Sequence, residues 1–154
     1  MFTPCDTTDT PALAVLLRGL HAHHVAQVPH RFHDQATQEE LQAVLDDAMA
    51  EGAQLRAYRV EGVPRGYLMW RWRLRAGSAL EHPQRVALLE HIWVDPSWRR
   101  RGVARRLIAG FEAEISGQGA EGWITKVHAF NAPSRALMLG AGAMGAVEVL
   151  EKRL

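Results

Sequence analysis

The sequence predicts a mixed α/β fold in which helices flank a mostly antiparallel sheet. Apolar residues recur at helical spacing over residues 13–48 and then alternate at the two-residue spacing of strands over residues 55–94. A strand, a helix and a further strand over residues 85–130 add at least one parallel strand pair. We expect one domain over residues 1–154, because this length is enough to bury a core.

Composition excludes several classes of protein. The net charge of +1 gives no electrostatic reason to expect a nucleic-acid partner. The single cysteine, Cys5, cannot form an internal disulfide or complete a thiolate metal site. The N-terminus lacks the basic flank and apolar stretch of a signal peptide, and no apolar run reaches the length of a membrane span. We therefore expect a soluble cytoplasmic protein without membrane association.

The N-terminal third contains two predicted helices. The first follows Asp9 or Thr8, each of which can cap a helix, and ends before Pro29. The second begins at Thr37, where Thr37 and Glu40 match the spacing of a capping box. Apolar residues recur three or four positions apart in both segments, which predicts one apolar face for each helix.

Three strands are predicted next, over residues 55–60, 66–75 and 85–94, with a loop at 76–84. The middle strand has apolar residues at every second position: Leu68, Trp70, Trp72 and Leu74. This alternation predicts one buried face, on which the two tryptophans are core residues.

The last third is predicted to alternate between helices and strands. A helix over residues 100–116, stopped by glycines, precedes a strand over residues 122–130. A short helix over residues 133–139 and a final strand over residues 146–150 complete the pattern. The full expected order is strand, two helices, three strands, helix, strand, helix and strand.

The segment from Val94 to Ala104 leaves a strand, turns and enters a helix. The start of such a helix has unpaired backbone N–H groups and the positive end of the helix dipole, which together bind phosphate. Gly102 allows the backbone to approach an anion closely, and Arg99 and Arg101 can add charge-assisted hydrogen bonds. The pattern favours a pyrophosphate site for a nucleotide-like cofactor. The alternative is a basic, solvated first turn in an arginine-rich chain.

Here the sequence resembles the GNAT superfamily of acetyltransferases. The cofactor loop of that family has the pattern Gln/Arg-x-x-Gly-x-Gly/Ala, which Arg99, Gly102 and Ala104 match. Further along the chain the family has an Asn-x-x-Ala/Ser element, to which Asn131 and Ser134 correspond. The two matches lie in register with the predicted order of elements.

The resemblance covers nearly the whole chain. Residues 89–96 resemble the fourth strand of the family, and residues 149–154 resemble its last strand. It implies that the fourth and fifth strands splay apart and that the pantetheine arm of acetyl-CoA lies in the gap. Dimers are common among such proteins, so a homodimer is an expectation from the resemblance alone.

The resemblance also assigns residues to the cofactor, acetyl-CoA. Backbone groups of Ile92, Trp93 and Val94 would bond to the pantetheine arm, and Asn131, with Ser134 in step, would contact the same arm. The loop residues that would bind the pyrophosphate are Arg99, Arg100, Arg101, Gly102, Val103 and Ala104.

Glu90 is the candidate general base for acetyl transfer to an amine. Strict alternation places it on one face of its strand with apolar residues only: Val86, Leu88, Ile92 and Val94. Loss of water on such a surface would favour the neutral acid and bring the carboxylate toward useful basicity. The alternative is a structural ion pair with Arg71 or Arg73 on a neighbouring strand.

The family's usual proton donor to the departing thiolate is missing. Many members have a tyrosine seven residues after the asparagine, where this chain has Met138. His91 and His128 are lesser candidates for the chemistry, since a histidine on a strand is more often a hydrogen-bonded structural residue.

The acceptor site is predicted from a group of five histidines: His21, His23, His24, His30 and His33. Only Asp34 stands nearby to complete a set of ligands, so we favour an acceptor-site wall over a metal site and expect no metal. Phe32 and His33 lie in the proline-containing connection between the two helices and are the candidate acceptor-binding residues.

These observations predict an enzyme that moves an acetyl group from acetyl-CoA to a primary amine of a small molecule or amino-acid-like acceptor. Two alternatives stay open. One is a CoA-binding module with little or no catalysis, which is consistent with Met138. The other is an acetyltransferase for protein N-termini or side chains. Nucleic-acid binding through residues 99–106 is disfavoured by the near-zero net charge.

Overall fold

The computed structural model describes all 154 residues. Its elements in chain order are β1 (Phe2–Pro4), α1 (Thr10–Gln27), α2 (Gln38–Ala50), β2 (Gln54–Val60), β3 (Val63–Arg75), β4 (Gln84–Val94), α3 (Val103–Gly117), β5 (Gly122–Thr125) and α4 (Ala132–Gly140). The five strands form one sheet in sequence order, antiparallel except for the parallel pair of β4 and β5. The predicted mixed, mostly antiparallel sheet with flanking helices is confirmed. None of the helices combines the length and the apolar character needed to cross a membrane.

Helices cover both faces of the sheet and create two apolar cores. The first core joins α1 and α2 to one face, where Tyr67 and Met69 of β3 are buried. The second core joins α3 and α4 to the other face, where Leu68 and Trp70 are buried. The prediction of a single buried face for β3 is therefore wrong at its centre. Central strands covered on both faces lack the simple alternation that half-exposed strands show.

The first two helices begin at the positions that their predicted capping residues indicate, although only the second is capped by a side chain. Thr37 caps α2 with a capping box: its hydroxyl accepts from the Glu40 N–H at 3.1 Å, and the Glu40 carboxylate accepts from the Thr37 N–H at 2.7 Å. Asp9 stands at the N-cap of α1, but its side chain does not cap the helix. Its carboxylate instead pairs with Arg59 of β2 at 2.6 Å, which ties α1 to the sheet.

Three boundaries in the last third differ from the prediction. Helix α3 begins at Val103 instead of residue 100, because Arg100 and Gly102 have left-handed backbone angles that a helix cannot contain. Strand β5 was predicted to reach residue 130, but it ends at Thr125, because its pairing with β4 stops there. The final strand at residues 146–150, which the resemblance to a family's last strand also implied, is absent. Alternating valines there have no neighbouring strand to pair with, and their side chains are exposed.

The splayed fourth and fifth strands are confirmed. The pairing of β4 with β5 runs from Val86 opposite Gly122 to Leu89 opposite Thr125, and then stops. Strand β4 continues for five residues to Val94 with only β3 beside it. A gap therefore opens on the β5 side of residues 90–94.

Candidate active site

A β-bulge in β4 lies at the point where the two strands separate. Met69 of β3 pairs with His91 and Trp70 pairs with Leu89, so Glu90 has no partner in the ladder. One extra residue reverses which side chains face which side of the sheet. Leu89 before the bulge and Val94 after it both pack in the second core.

Because of the bulge, the surroundings of Glu90 differ from those predicted. Strict alternation placed this residue on an apolar face with Val86, Leu88, Ile92 and Val94, and that prediction is wrong. The Arg71 Nε donates to a Glu90 carboxylate oxygen at 2.9 Å, and about a quarter of the Glu90 side chain (26%) is exposed. The ion pair with Arg71, one of the two alternatives from sequence, is therefore present. Adjacent apolar residues at Leu88 and Leu89 are the sequence signal that alternation fails here.

The gap between β4 and β5 forms a cleft of about 310 Å³. Residues 89–92 of β4 form one side, and residues 125–128 at and after the end of β5 form the other. Helix α1 and Phe32 close the cleft on one face of the sheet, and α4 closes it on the other. Glu90 is the only carboxylate that lines it, and Lys126 is the only lysine or arginine.

Four aromatic rings from three separate segments pack against one another, and three of them, all but Phe130, line this cleft. They are His24 of α1, Phe32 of the α1–α2 connection, and His128 and Phe130 of the β5–α4 loop; we call them the ring cluster. The ring centroids of His24 and His128 are 5.0 Å apart, and those of Phe32 and His128 are 5.7 Å apart. Sequence reasoning assigned nothing to Phe130 and did not join His24 to His128, because contacts across a hundred residues leave no local pattern.

Three imidazoles that line the cleft, those of His24, His91 and His128, are biased toward their neutral forms. Burial lowers the pKa of His24 and of His128, and nearby cations lower both further. Burial also lowers the pKa of His91 to about 4. The His91 Nδ1 lies 3.1 Å from the hydroxyl of Tyr67, whose own pKa is raised by complete burial. No group of three histidine, cysteine or acidic residues is placed to hold a metal ion.

The two candidate acceptor-binding residues are separated. Phe32 lines the cleft and contacts His24 and His128 edge to face. His33 instead lines a second cavity of about 370 Å³ beside α2. Its backbone carbonyl accepts a hydrogen bond from His21 Nε2 at 2.6 Å, so His33 helps to fix the connection to α1.

The loop before α3 presents a run of free backbone amides. The N–H groups of residues 100–105, six in succession, have no acceptor within the chain. Arg100 has a φ of 63° and Gly102 a φ of 76°, and left-handed residues next to right-handed ones turn successive N–H groups toward one point. A Cβ added at Gly102 would project into open space, so the loop leaves room for an anion. Such an arrangement binds phosphate.

The arginines of the loop are held by aromatic rings. The Arg99 guanidinium lies 4.4 Å from the centre of the Trp93 ring, and its Nε donates to the Val94 carbonyl at 3.2 Å. The Arg101 guanidinium lies 4.7 Å from the centre of the Trp98 ring. These contacts order the two cations beside the free amides at a small entropic cost.

The start of α4 completes the far side of the cleft. Asn131 caps this helix, its side-chain oxygen accepting from the Ser134 N–H at 3.2 Å, and both residues line the cleft. Met138, one turn further on, is buried in the second core and also lines the cleft. The position where a tyrosine is usual thus faces the cleft but carries no proton donor.

A sheet that splays beside a loop of free amides defines the class of acetyltransferases with the GNAT fold. The sequence model of the Acetyltransferase (GNAT) family matches residues 18–142. The chain belongs to this family. Among curated proteins, none matches the sequence.

Solved structures share the fold at low sequence identity. A mutant protein from Bacillus halodurans superposes with a TM-score of 0.88 at 15% identity, covering 100% of this chain and 99% of that one. The aminoglycoside N-acetyltransferase AAC(6')-Iy in complex with CoA gives 0.77 at 20% identity, with coverages of 100% and 93%. A ribosomal-protein-alanine N-acetyltransferase from Brucella melitensis biovar Abortus 2308 gives 0.73 at 18% identity, with coverages of 100% and 99%.

Proposed function

We propose that this protein transfers an acetyl group from acetyl-CoA to a primary amine of a small molecule or amino-acid-like acceptor. The observation that carries the proposal is the run of six free amides beside the cleft between β4 and β5. A phosphate-binding loop next to a cleft suits a cofactor with a pyrophosphate at one end and a reactive group at the other.

The residues of the chain fit acetyl-CoA at two places. The free amides of residues 100–105, with the cations of Arg99 and Arg101, would hold the pyrophosphate. Beyond Leu89, the edge of β4 that faces the gap has no strand beside it. The backbone groups of Ile92 and Val94 point to this gap and offer partners for a pantetheine arm, whereas those of Trp93, the third residue expected to bind the arm, point to β3 in the antiparallel ladder. Asn131 and Ser134 would contact that arm from across the cleft.

Acetyl-CoA, when bound, supplies an acetyl thioester. The acceptor nitrogen bonds to the thioester carbonyl carbon, the C–S bond breaks, and the nitrogen loses a proton. We assign that proton to Glu90, directly or through water, because it is the only carboxylate of the cleft. Arg71 orients this carboxylate. Met138 cannot donate a proton to the leaving thiolate, so water is the donor in this proposal.

Structural neighbours support an amine acceptor without naming one. Two of them are an aminoglycoside N-acetyltransferase and a ribosomal-protein-alanine N-acetyltransferase, which span small molecules and proteins. The cleft here has about 310 Å³, part of which the pantetheine arm would take, so the space that is left favours a small acceptor. A module that binds CoA with little catalysis is the second candidate, and Met138 is the observation that favours it.

CoA release from acetyl-CoA in the presence of an amine tests the proposal. We expect release that depends on the amine, with small primary amines ahead of peptides that present a free N-terminus. CoA binding without release for any amine would point to the binding module. Faster release with the peptides would move the acceptor to proteins.

A further inference from the structure

The ring cluster indicates which class of amine the proposed transfer reaction would accept. We infer that the acceptor is a monoamine with an aromatic or other flat apolar group, and not a polycation. The inference deepens the proposed function and rests on it. It depends on the rings at the cleft, on the charges around them and on one fixed imidazole nitrogen.

The rings offer apolar surface in a defined arrangement. His24, Phe32 and His128 lie edge to face with one another, at centroid distances of 5.0–5.7 Å. Phe130 extends this surface, stacked on His128 at 5.5 Å. Half-buried edges and faces of this kind pack well against another aromatic ring.

The charges around the cleft disfavour several ammonium groups. The only lining carboxylate, Glu90, already pairs with Arg71. Lys126 lines the cleft, and Arg31 lies over Phe32 with its guanidinium 5.2 Å from the ring centre. Each additional ammonium of a polyamine or aminoglycoside would meet these cations without a carboxylate of its own.

One hydrogen-bond acceptor is fixed inside the cluster. His24 Nδ1 lies 2.9 Å from the Leu20 carbonyl, and since a carbonyl only accepts, Nδ1 carries the proton. In neutral His24 the Nε2 is then an unprotonated acceptor, and burial keeps the ring neutral by lowering its pKa. The cluster thus provides one place for an amine N–H beside an apolar wall. The titratable or charged groups that face His24 are His21, His23, Arg31, His91 and His128.

An acceptor panel tests the inference directly. kcat/KM is measured for 2-phenylethylamine, for propylamine, which keeps one ammonium but lacks the ring, and for spermidine and kanamycin, which carry several ammonium groups. We expect 2-phenylethylamine to exceed each of the other three by about tenfold or more, the size of one well-packed apolar contact. Equal or higher kcat/KM for spermidine or kanamycin would overturn the inference.

Two variants separate the ring from the charges. Phe32→Ala should lower kcat/KM for 2-phenylethylamine more than for propylamine, while Lys126→Glu should raise kcat/KM for spermidine. His82→Ala, in the exposed β3–β4 loop, is the control and should leave kcat/KM unchanged for all three amines. Equal losses for both monoamines in Phe32→Ala would contradict a role for the ring cluster in acceptor choice.

Direct binding distinguishes failure of the inference from failure of the proposed function. Calorimetry on the CoA-bound protein should show 2-phenylethylamine binding more tightly than spermidine. If no amine is acetylated but this order of binding holds, the transfer activity is wrong and the acceptor preference stands. If amines are acetylated but 2-phenylethylamine binds no better than propylamine, the inference fails and the transfer activity stands.

Discussion

The cofactor loop and the acceptor side of the cleft are built in opposite ways. The loop and the first turn of α3 form one continuous segment, residues 94–105, which presents backbone N–H groups together with arginine side chains. The acceptor side combines side chains of α1, the α1–α2 connection, β4 and the β5–α4 loop, and burial lowers the pKa values of three of its histidines, His24, His91 and His128. We therefore expect cofactor binding to change little with pH and to depend on one short segment of the chain. Acceptor binding should change with pH and depend on residues from several segments.

The largest expected effect comes from Glu90, which lies between the two regions. Glu90→Gln should lower kcat by roughly 10²–10⁴-fold, the usual contribution of a positioned base, and leave the KM for acetyl-CoA nearly unchanged. Steady-state kinetics with each substrate varied in turn measures both values.

Arg71→Gln is the matched comparison, because it removes the partner that orients the carboxylate and keeps the carboxylate itself. We expect it to lower kcat less than Glu90→Gln does, whereas a merely structural ion pair would make the two variants alike in stability and activity. A Glu90→Gln protein with full kcat and an unchanged pH profile would remove Glu90 from the chemistry.

The acceptor side should make the fold sensitive to acid through His91. Its pKa of about 4 lies below the usual value near 6.5, so the unfolded chain takes up a proton first as the pH falls. The stabilising contribution is full above pH 6.5 and is lost between pH 6.5 and 4, by about 3 kcal/mol. Urea unfolding at pH 7.5 and pH 4 should show a smaller loss for His91→Gln than for the wild type. Equal losses would mean that His91 titrates normally.

The cofactor loop should respond to charge and not to pH. Arg99→Ala combined with Arg101→Ala should weaken CoA binding by roughly ten- to a hundredfold, since bonds to charged groups contribute about 1.5–3 kcal/mol each before partial compensation. The melting temperature should hardly change, because both side chains are exposed. Arg73→Ala with Arg75→Ala removes the same charge at the opposite end of β3 and is the control. If both double variants bound CoA equally weakly, the loss would come from the overall charge of the protein and not from the loop.

The smallest expected effect is the difference between substitutions of two neighbouring residues, Phe32 and His33, on the KM for the amine. Phe32→Ala should raise the KM for the amine by roughly fivefold, from about 1 kcal/mol of lost apolar contact, without changing the KM for acetyl-CoA. His33→Ala should change the amine KM by less than about twofold, since His33 lines a different cavity. Kinetics that show His33 as the more sensitive residue would move the acceptor site to that second cavity.

Local sequence signals predicted the parts of the molecule that local physics determines. The capping box at Thr37 and Glu40, the order of the elements through α4 and the passage from β4 through a turn into α3 all depend on residues a few positions apart. The amide loop is of this kind, so its strand–turn–helix arrangement was predictable from eleven consecutive residues, 94–104.

Tertiary pairing determined the parts that the sequence did not predict. The bulge at Glu90 depends on how β4 aligns with β3, and it turned an expected apolar setting into an ion pair. The alternating valines near the C-terminus have strand propensity, but no strand lies beside them. The ring cluster joins His24 to His128 through the fold alone.

Binding of CoA to the purified chain tests the central claim most directly. Isothermal titration calorimetry should show one CoA per chain for the wild type and for Gly117→Val, a valine at the exposed end of α3 with no neighbour to disturb. Gly102→Val should weaken binding by about a hundredfold, close to 2.7 kcal/mol, because its side chain would enter the space in front of the free amides at a φ that valine disfavours. A folded wild type that binds no CoA, or a Gly102→Val protein that binds as tightly as the wild type, would contradict the proposal that this loop holds the cofactor.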